Sequence, residues 1–381
     1  MTFLNYCLAN RDWLLDFIEA LVAIESPSDD AAAVNRCAGE LSSRLQAIGG
    51  SVTRVPSATA GDHVRASFGS GSRQILLLGH IDTVWPIGQL ATMPIRREGG
   101  RLYGPGVFDM KAGVALGVLA TRAVLERDGL DGCRITMLWT ADEEIGSATS
   151  RALIEAEASK SEAVLVLEPS LPGGGLKTSR KGVGQFELVV RGVSAHAGLE
   201  PEKGISAVRE LARQILAIDD LQDLPRGVTV TVGLVKGGTR SNVVPAEARA
   251  TIDARAVTRA DAQGIVERLK ALAVKPFIEG TSIEVTGGFD RPPLERTPSV
   301  VRLFEIAKQA AADIGVTLSE GSAGGGSDGN FTAALGVPTL DGFGAIGDGA
   351  HALHEHVEIE SLFPRAATIA GVIRSLARRS A

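Results

Sequence analysis

At 381 residues the chain is too long for one ordinary core, so two domains are expected, one of which can be built from both ends of the chain. Its 39 basic and 45 acidic residues give a formal charge of −6, which leaves no electrostatic footprint for nucleic acid or an anionic membrane and makes a small molecule the expected partner. Three scattered cysteines (Cys7, Cys37, Cys133) without Cys-x-x-Cys spacing argue against a disulfide framework or a thiolate metal site, and fit a reducing compartment.

The N-terminal stretch MTFLNYCLANRDWLLDF has no basic residue ahead of an apolar run, so no signal peptide is expected and the chain is placed in the cytoplasm. Trp13, Leu14, Phe17, Ile18 and Leu21 recur at helical spacing and predict a first amphipathic helix. A second helix is predicted from Asp29 or Asp30 to about Ile48, stopped by Gly49-Gly50. Residues 75–78, 134–140 and 163–167 are short apolar runs that read as buried strands, and a helix follows Asp109 and ends near Gly129. This alternation predicts an α/β layer architecture.

From about Lys181 the pattern changes. Strand 185–190, helix 205–216, strands 228–234 and 246–254, helix 261–275 and strand 282–286 make a βαββαβ series, the ferredoxin-like order, compact enough to be an insertion. From Pro298 the mixed pattern returns and completes the first domain. The expected division is therefore 1–180 with 291–381, interrupted by 181–290.

Candidate chemistry gathers after the predicted strands, where open α/β sheets place their sites. His80 and Asp82 follow the run ILLLG; one suits a metal and the other its orientation, although an ordinary turn uses the same residues. Asp109 closes a Gly/Pro-rich loop just before a helix, as a metal ligand or as an N-cap. Glu143 and Glu144 follow Asp142 after the run ITMLW; three adjacent carboxylates call for a cation unless they form a solvated turn. Glu168 precedes Pro169 at a strand tip. His351 lies with His354 and His356, half of the six histidines, in a metal-binding or surface loop. Two histidines and three carboxylates form a mixed nitrogen and oxygen set that suits two divalent metals, and one glutamate of the 143–144 pair is then left to take a proton from water.

The segments Gly79-His80-Ile81-Asp82-Thr83-Val84, Tyr103-Gly104-Pro105-Gly106 with Asp109-Met110-Lys111, Asp142-Glu143-Glu144-Ile145-Gly146, Leu167-Glu168-Pro169 and Gly324 to Asn330 resemble the M20 family of metallopeptidases in order and spacing, and within it the glutamate carboxypeptidase group. The resemblance implies a zinc-peptidase-like catalytic domain on a mixed sheet with an inserted ferredoxin-like dimerisation lid, and a homodimer formed through that lid. It implies two zinc ions per subunit, with cobalt or manganese as substitutes: Asp109 bridging, His80 and Glu168 on one ion, Glu144 and His351 on the other. Glu143 is then the general base and Asp82 the orienter of His80. His354 and His356 stand where the family's closing segment carries other residue types, and read as rim or structural residues.

In the lid, His196 resembles the histidine that reaches a neighbouring subunit's oxyanion, and Asn242 and Arg255 match substrate contacts, the guanidinium suiting a free carboxylate. Gly325 and Gly326 belong to a loop resembling a backbone-rich substrate segment. Residues 169–180 depart from the glutamate-specific members, whose lysine there holds the substrate carboxylate; Lys177, Arg180 and Lys181 are the replacements on offer.

The implied reaction is hydrolysis of an amide next to a free carboxylate, on a small peptide or N-acyl amino acid, releasing C-terminal glutamate or aspartate. An N-acyl-amino-acid deacylase, acetylornithine deacetylase-like or acting on acyl-aspartate, would use the same centre. A catalytically silent metal-binding relative is the reading of another class, and the presence of Asp109, Glu143 and His351 argues against it. A dinucleotide site is disfavoured because Pro105 sits inside Gly104-x-Gly106 and no third glycine follows in register.

Overall fold

The computed structural model describes residues 2–130 and 132–378. The chain divides into two compact units: Met1–Ser179 with Arg296–Ala323 and Ser327–Ala381, and Arg180–Glu295 with Gly324–Gly326.

The first unit is built on a six-stranded sheet in the order Ser51–Val55, His63–Phe68, Cys133–Thr140, Arg73–His80, Ala163–Val166, Thr339–Leu340. The two pairings at the Ser51–Val55 end are antiparallel and the other three parallel, so the sheet is mixed. Alternation along the central strands sorts their side chains. Ile75, Leu77, Ile135, Met137 and Trp139 enter the main core, while Leu76, Leu78 and Leu138 face Ile154, Ala158 and Phe331 on the other side. Each such side chain taken out of water contributes roughly 1.5–3 kcal/mol before entropy is counted. The helix Ala112–Arg127 is buried along most of its length, packed against Arg11–Ala23 and Ile359–Ala377, which explains why its sequence is apolar all round.

The helix predicted after Asp29 or Asp30 is Ala31–Ala47; Asp30 accepts from the Ala33 N–H, and Gly49, at φ +86°, ends it in the left-handed conformation. The N-terminal region holds two helices, Phe3–Ala9 and Arg11–Ala23, where periodicity predicts one. A small antiparallel sheet in the order Gly347–Asp348, His356–Glu358, Arg101–Tyr103, Arg96–Glu98 pairs His356 with Tyr103, and so brings the segment around His351 beside the loop around Asp109.

The second unit is an antiparallel sheet in the order Thr229–Gly237, Glu247–Ala256, Gly182–Arg191, Ser282–Arg291, with helices Ala207–Asp219 and Arg259–Val274 packed on it. Numbered along the chain, the strands lie 2-3-1-4, which is the ferredoxin-like order expected from βαββαβ. The last strand runs past residue 286 to Arg291, because pairing with Gly182–Arg191 carries it through Gly287-Gly288, where glycine propensity alone predicts an end. No helix among the described residues is long and apolar enough to cross a membrane.

Candidate metal centre

Three parallel strands deliver most of the centre to one edge of the sheet. His80 ends Arg73–His80 and pairs in register with Thr140, just ahead of Asp142, Glu143 and Glu144; Val166, opposite Leu78, leads to Glu168. Gly79 is required beside His80, since a Cβ there would lie 2.4 Å from Met110 Cε and 3.0 Å from Trp139. Met110 thus packs on the strand and carries Asp109 with it. Asp109 is not the N-cap of the following helix: it sits in a non-helical turn (φ −116°, ψ 93°), and Ala112–Arg127 begins after Lys111. His351 arrives from the segment beside the small sheet at φ +61°, one of two non-glycine residues with positive φ among those described.

The side chains converge. His80 Nε2 lies 3.3 Å from Asp109 Oδ1 and 3.5 Å from Glu168 Oε1, and His351 Nε2 lies 3.5 Å from Asp109 Oδ2 and 3.3 Å from Glu144 Oε1. Asp109 therefore offers one oxygen to each histidine. Donor atoms of His80, Asp109 and Glu144 lie within 4.8 Å of one another, as do those of His80, Glu143 and Glu168.

Electrostatics follow from this crowding. Burial opposes the His80 imidazolium, yet Asp109, Asp82 and Glu168 outweigh it and hold the pKa well above its ordinary value. Asp109 and Glu144 raise His351 to about 10 against the pull of burial. Burial raises Glu144, while Asp109 falls below the usual carboxylate range despite burial because His351 and His80 favour its anion. Carboxylates outnumber the imidazoles, and the buried Glu144 Oε1 makes no well-formed hydrogen bond, only the His351 contact. Imidazole nitrogen and carboxylate oxygen at this spacing fit divalent transition-metal ions.

Asp82, fully buried, organises two parts of the centre. Its carbonyl lies 3.0 Å and its Oδ1 3.4 Å from His80 Nδ1, which directs Nε2 into the cluster. Its carboxylate also accepts from Ser28 Oγ at 2.6 Å and from the backbone N–H groups of Glu143 and Glu144 at 3.3 and 3.2 Å.

Two further residues were not singled out from the sequence. Glu355, fully buried, accepts from the N–H groups of Gly106, Phe108 and Asp109 at 2.9, 2.9 and 3.0 Å and from the Trp85 indole at 2.7 Å. A glycine-rich loop leaves many donors to satisfy, and that need was the available signal. Lys111 Nζ donates to the carbonyls of Leu21 and Ile24, at the end of Arg11–Ala23, and ties that helix to the Asp109 turn. His356 is buried against Tyr103 with Nδ1 at 2.8 Å from the His354 carbonyl, so its part is structural, while His354 is exposed.

The other candidates belong to the second unit. His196 Nδ1 accepts from the N–H groups of Gly198 and Leu199, which leaves Nε2 as the N–H donor on an exposed residue. Asn242 is exposed and accepts from the Ala197 N–H through its carbonyl. Arg255 is held by both oxygens of Asp253, at 2.9 and 2.8 Å. Arg180 is buried and donates to the carbonyls of Gly325 and Gly326 at 3.2 and 3.0 Å, so this arginine clamps the glycine loop. Lys177 is buried and Lys181 half-buried.

A mixed α/β unit with a carboxylate and imidazole cluster at the strand ends, interrupted by a ferredoxin-like insertion, defines a class of metal-dependent amide hydrolases. The sequence profile of peptidase family M20/M25/M40 matches residues 76–375, and the chain belongs to this family. It is accordingly a hydrolase of the metallo-exopeptidase and amidohydrolase kind. It is similar to carboxypeptidase G2 of Pseudomonas sp. (strain RS-16), with 32% identity over 369 residues that cover 94% of this chain and 88% of that protein. Succinyl-diaminopimelate desuccinylase of Cereibacter sphaeroides (strain ATCC 17025 / ATH 2.4.3) is 31% identical over 311 residues, 75% of this chain and 79% of its own length. The fold is shared with aminopeptidase PepT from Bacillus cereus ATCC 10987, at a TM-score of 0.81 and 24% identity over 97% of this chain and 99% of that one.

Proposed function

We propose that the enzyme holds two metal ions and cleaves the amide bond next to a free carboxylate in a small peptide or N-acyl amino acid, releasing C-terminal glutamate or aspartate. The observation that carries this reading is the position of Asp109, with one oxygen toward His80 and the other toward His351, while Glu168 flanks the first histidine and Glu144 the second. In this reading His80 and Glu168 hold one zinc ion, Glu144 and His351 a second, and Asp109 touches both; cobalt or manganese would substitute. When bound, the ions supply Lewis acidity that polarises the scissile carbonyl and makes water acidic enough to be deprotonated near neutral pH.

The remaining work falls to side chains. Glu143 takes the proton of the attacking water and delivers it to the departing amine nitrogen. Asp82 fixes the His80 ring. His196, through its Nε2–H, donates to the developing oxyanion of a neighbouring subunit. Asn242 and Arg255 address the substrate carboxylate, Arg255 exchanging Asp253 for it, and Gly325 and Gly326 offer backbone to the substrate. The second unit serves as a dimerisation lid. Its edge strand Thr229–Gly237 carries exposed Leu234 and Val235, and Leu216 is exposed on Ala207–Asp219, which supports pairing with a second copy.

The glutamate preference rests on the resemblance of the site segments to the glutamate carboxypeptidase group, and cleavage at a C-terminal residue is supported by the likeness to carboxypeptidase G2. The likeness to succinyl-diaminopimelate desuccinylases favours a second reading, deacylation of an N-acyl amino acid at the same centre. Release of amine from dipeptides, N-acyl glutamates and N-acetyl or N-succinyl amino acids, with added zinc and a chelator control, separates the two. Chelator-sensitive release of C-terminal glutamate or aspartate is expected. Activity confined to N-acetyl or N-succinyl compounds selects the deacylase, and inactivity on every substrate with two metals bound rejects both.

A further inference from the structure

His63 lies outside the cluster, opens the strand His63–Phe68 and is almost entirely buried. Its two ring nitrogens have opposite partners. The Ala141 N–H points at Nδ1 from 3.1 Å, and a backbone N–H can only donate, so Nδ1 must be the acceptor. The proton then belongs on Nε2, which donates to Thr149 Oγ1 at 3.1 Å, and the Thr149 hydroxyl donates onward to Asp142 Oδ2 at 2.8 Å. The same oxygen accepts the N–H groups of Thr149 at 2.7 Å and Ser150 at 3.3 Å, while the Asp142 carbonyl accepts that of Ser147 at 2.8 Å. Every donor and acceptor role along this chain agrees in direction. Burial also lowers the His63 pKa against the pull of Asp142, Asp328, Asp82 and Asp62, consistent with the neutral ring that the geometry requires.

The segment this chain closes is the one that carries Glu143 and Glu144. The N–H groups of these two residues are held from inside by the Asp82 carboxylate, and the start and end of their turn are pinned together from outside by Asp142. His63 ties this turn to the strand His63–Phe68, since it touches residue 141 before the glutamates and residue 149 after them, and Asp328 spans the same turn by accepting from the hydroxyls of Thr140 and Ser147. An error of about 1 Å in the position of a reacting group costs roughly a hundredfold in rate.

We propose that His63 is a positioning residue for the reaction, fixing through Thr149 and Asp142 the turn from which Glu143 acts; this rests on the reading of Glu143 as the base. The test compares kcat, KM, bound metal and Tm for the zinc-loaded enzyme and its His63→Leu, His63→Asn, Thr149→Val, His63→Leu/Thr149→Val and Glu143→Ala variants. His63→Leu and Thr149→Val should each lower kcat by about tenfold or more with KM and bound metal unchanged, and the double variant should be no worse than its poorer parent, as members of one chain behave. His63→Asn, whose Oδ1 can still accept from Ala141 but which is too short to reach Thr149, should show a loss of kcat like that of Thr149→Val. A His63→Leu enzyme within about twofold of the parent in kcat overturns the proposal, as does a loss that tracks bound metal or Tm, or a His63→Asn enzyme with the full kcat of the parent. Should His63→Leu not fold, Thr149→Val and His63→Asn decide in the same way. Activity surviving in Glu143→Ala would instead remove the reading of the base on which the proposal stands.

Discussion

Glu143 and Glu144 are chemically alike and adjacent, yet their surroundings differ: Glu144 faces His351, whereas Glu143 groups with His80 and Glu168 on the other side of the centre. If Glu143 is the base and not a ligand, Glu143→Ala should retain nearly all bound metal while kcat falls by about a hundredfold or more. Metal analysis beside steady-state kinetics checks this, and loss of metal together with activity would move Glu143 into the ligand set. The histidines give a second expectation. Their pKa values are raised in the metal-free fold, His351 to about 10 and His80 well above its usual value, so His351 is protonated at neutral pH and His80 is shifted toward its protonated form. Groups raised in this way stabilise the metal-free fold below their unfolded pKa of about 6.5, and that stability is lost as pH climbs through the folded value. A metal held by these histidines needs their nitrogens bare, so loading near pH 7.5 should expel at least the proton of His351 and weaken by about tenfold or more for each unit of acidification. Calorimetry of zinc binding in buffers of different ionisation enthalpy measures the count; proton-neutral binding would remove His351 as a ligand.

At the scale of elements, the turn at 104–111 holds the doubly shared Asp109, and the backbone angles of Asp109 and Met110 within it are non-helical, so its shape depends on Glu355 and Lys111. Glu355→Gln keeps the volume but has one accepting oxygen for four donors. It should weaken metal binding by about tenfold to a hundredfold, as loss of a ligand's supporting partner does, with the fold retained. Titration with zinc against a competing chelator gives the ratio, and an unchanged affinity would mean that the turn holds its shape without the carboxylate. The same contrast explains what could be read from the sequence. His80, Asp109, Glu144, Glu168 and His351 each follow an apolar run or a glycine-bearing loop, so their types and places were visible in one dimension. The duties of Glu355 and His63 are to backbone N–H groups far away in the chain, and such duties leave neither periodicity nor spacing. The helix Phe3–Ala9 was missed for another reason: at seven residues it is too short to show a repeat. The salt bridge of Arg255 with Asp253 joins side chains two residues apart on one face of the strand Glu247–Ala256, a choice of partner that composition alone does not fix.

At the scale of the whole molecule, the question is whether one chain holds everything the reaction needs. The metal cluster and Glu143 belong to the first unit, and His196, with Nδ1 occupied by Gly198 and Leu199 and Nε2–H directed outward, belongs to the second. If His196 serves a neighbouring subunit, then Glu143→Ala and His196→Ala should each be nearly inactive alone, yet a mixed dimer would assemble one intact site from the two chains. Random exchange places half the molecules in mixed dimers with one good site in two, so the mixture should regain about a quarter of the wild-type rate. Co-refolding the two variants, with sedimentation to establish the dimer, measures this. Recovery requires that the histidine cross the interface, because a histidine acting within its own chain leaves every site in the mixture lacking either the base or the oxyanion donor. A dimeric mixture that stays inactive, or a monomer that is fully active, would therefore return His196 to its own subunit.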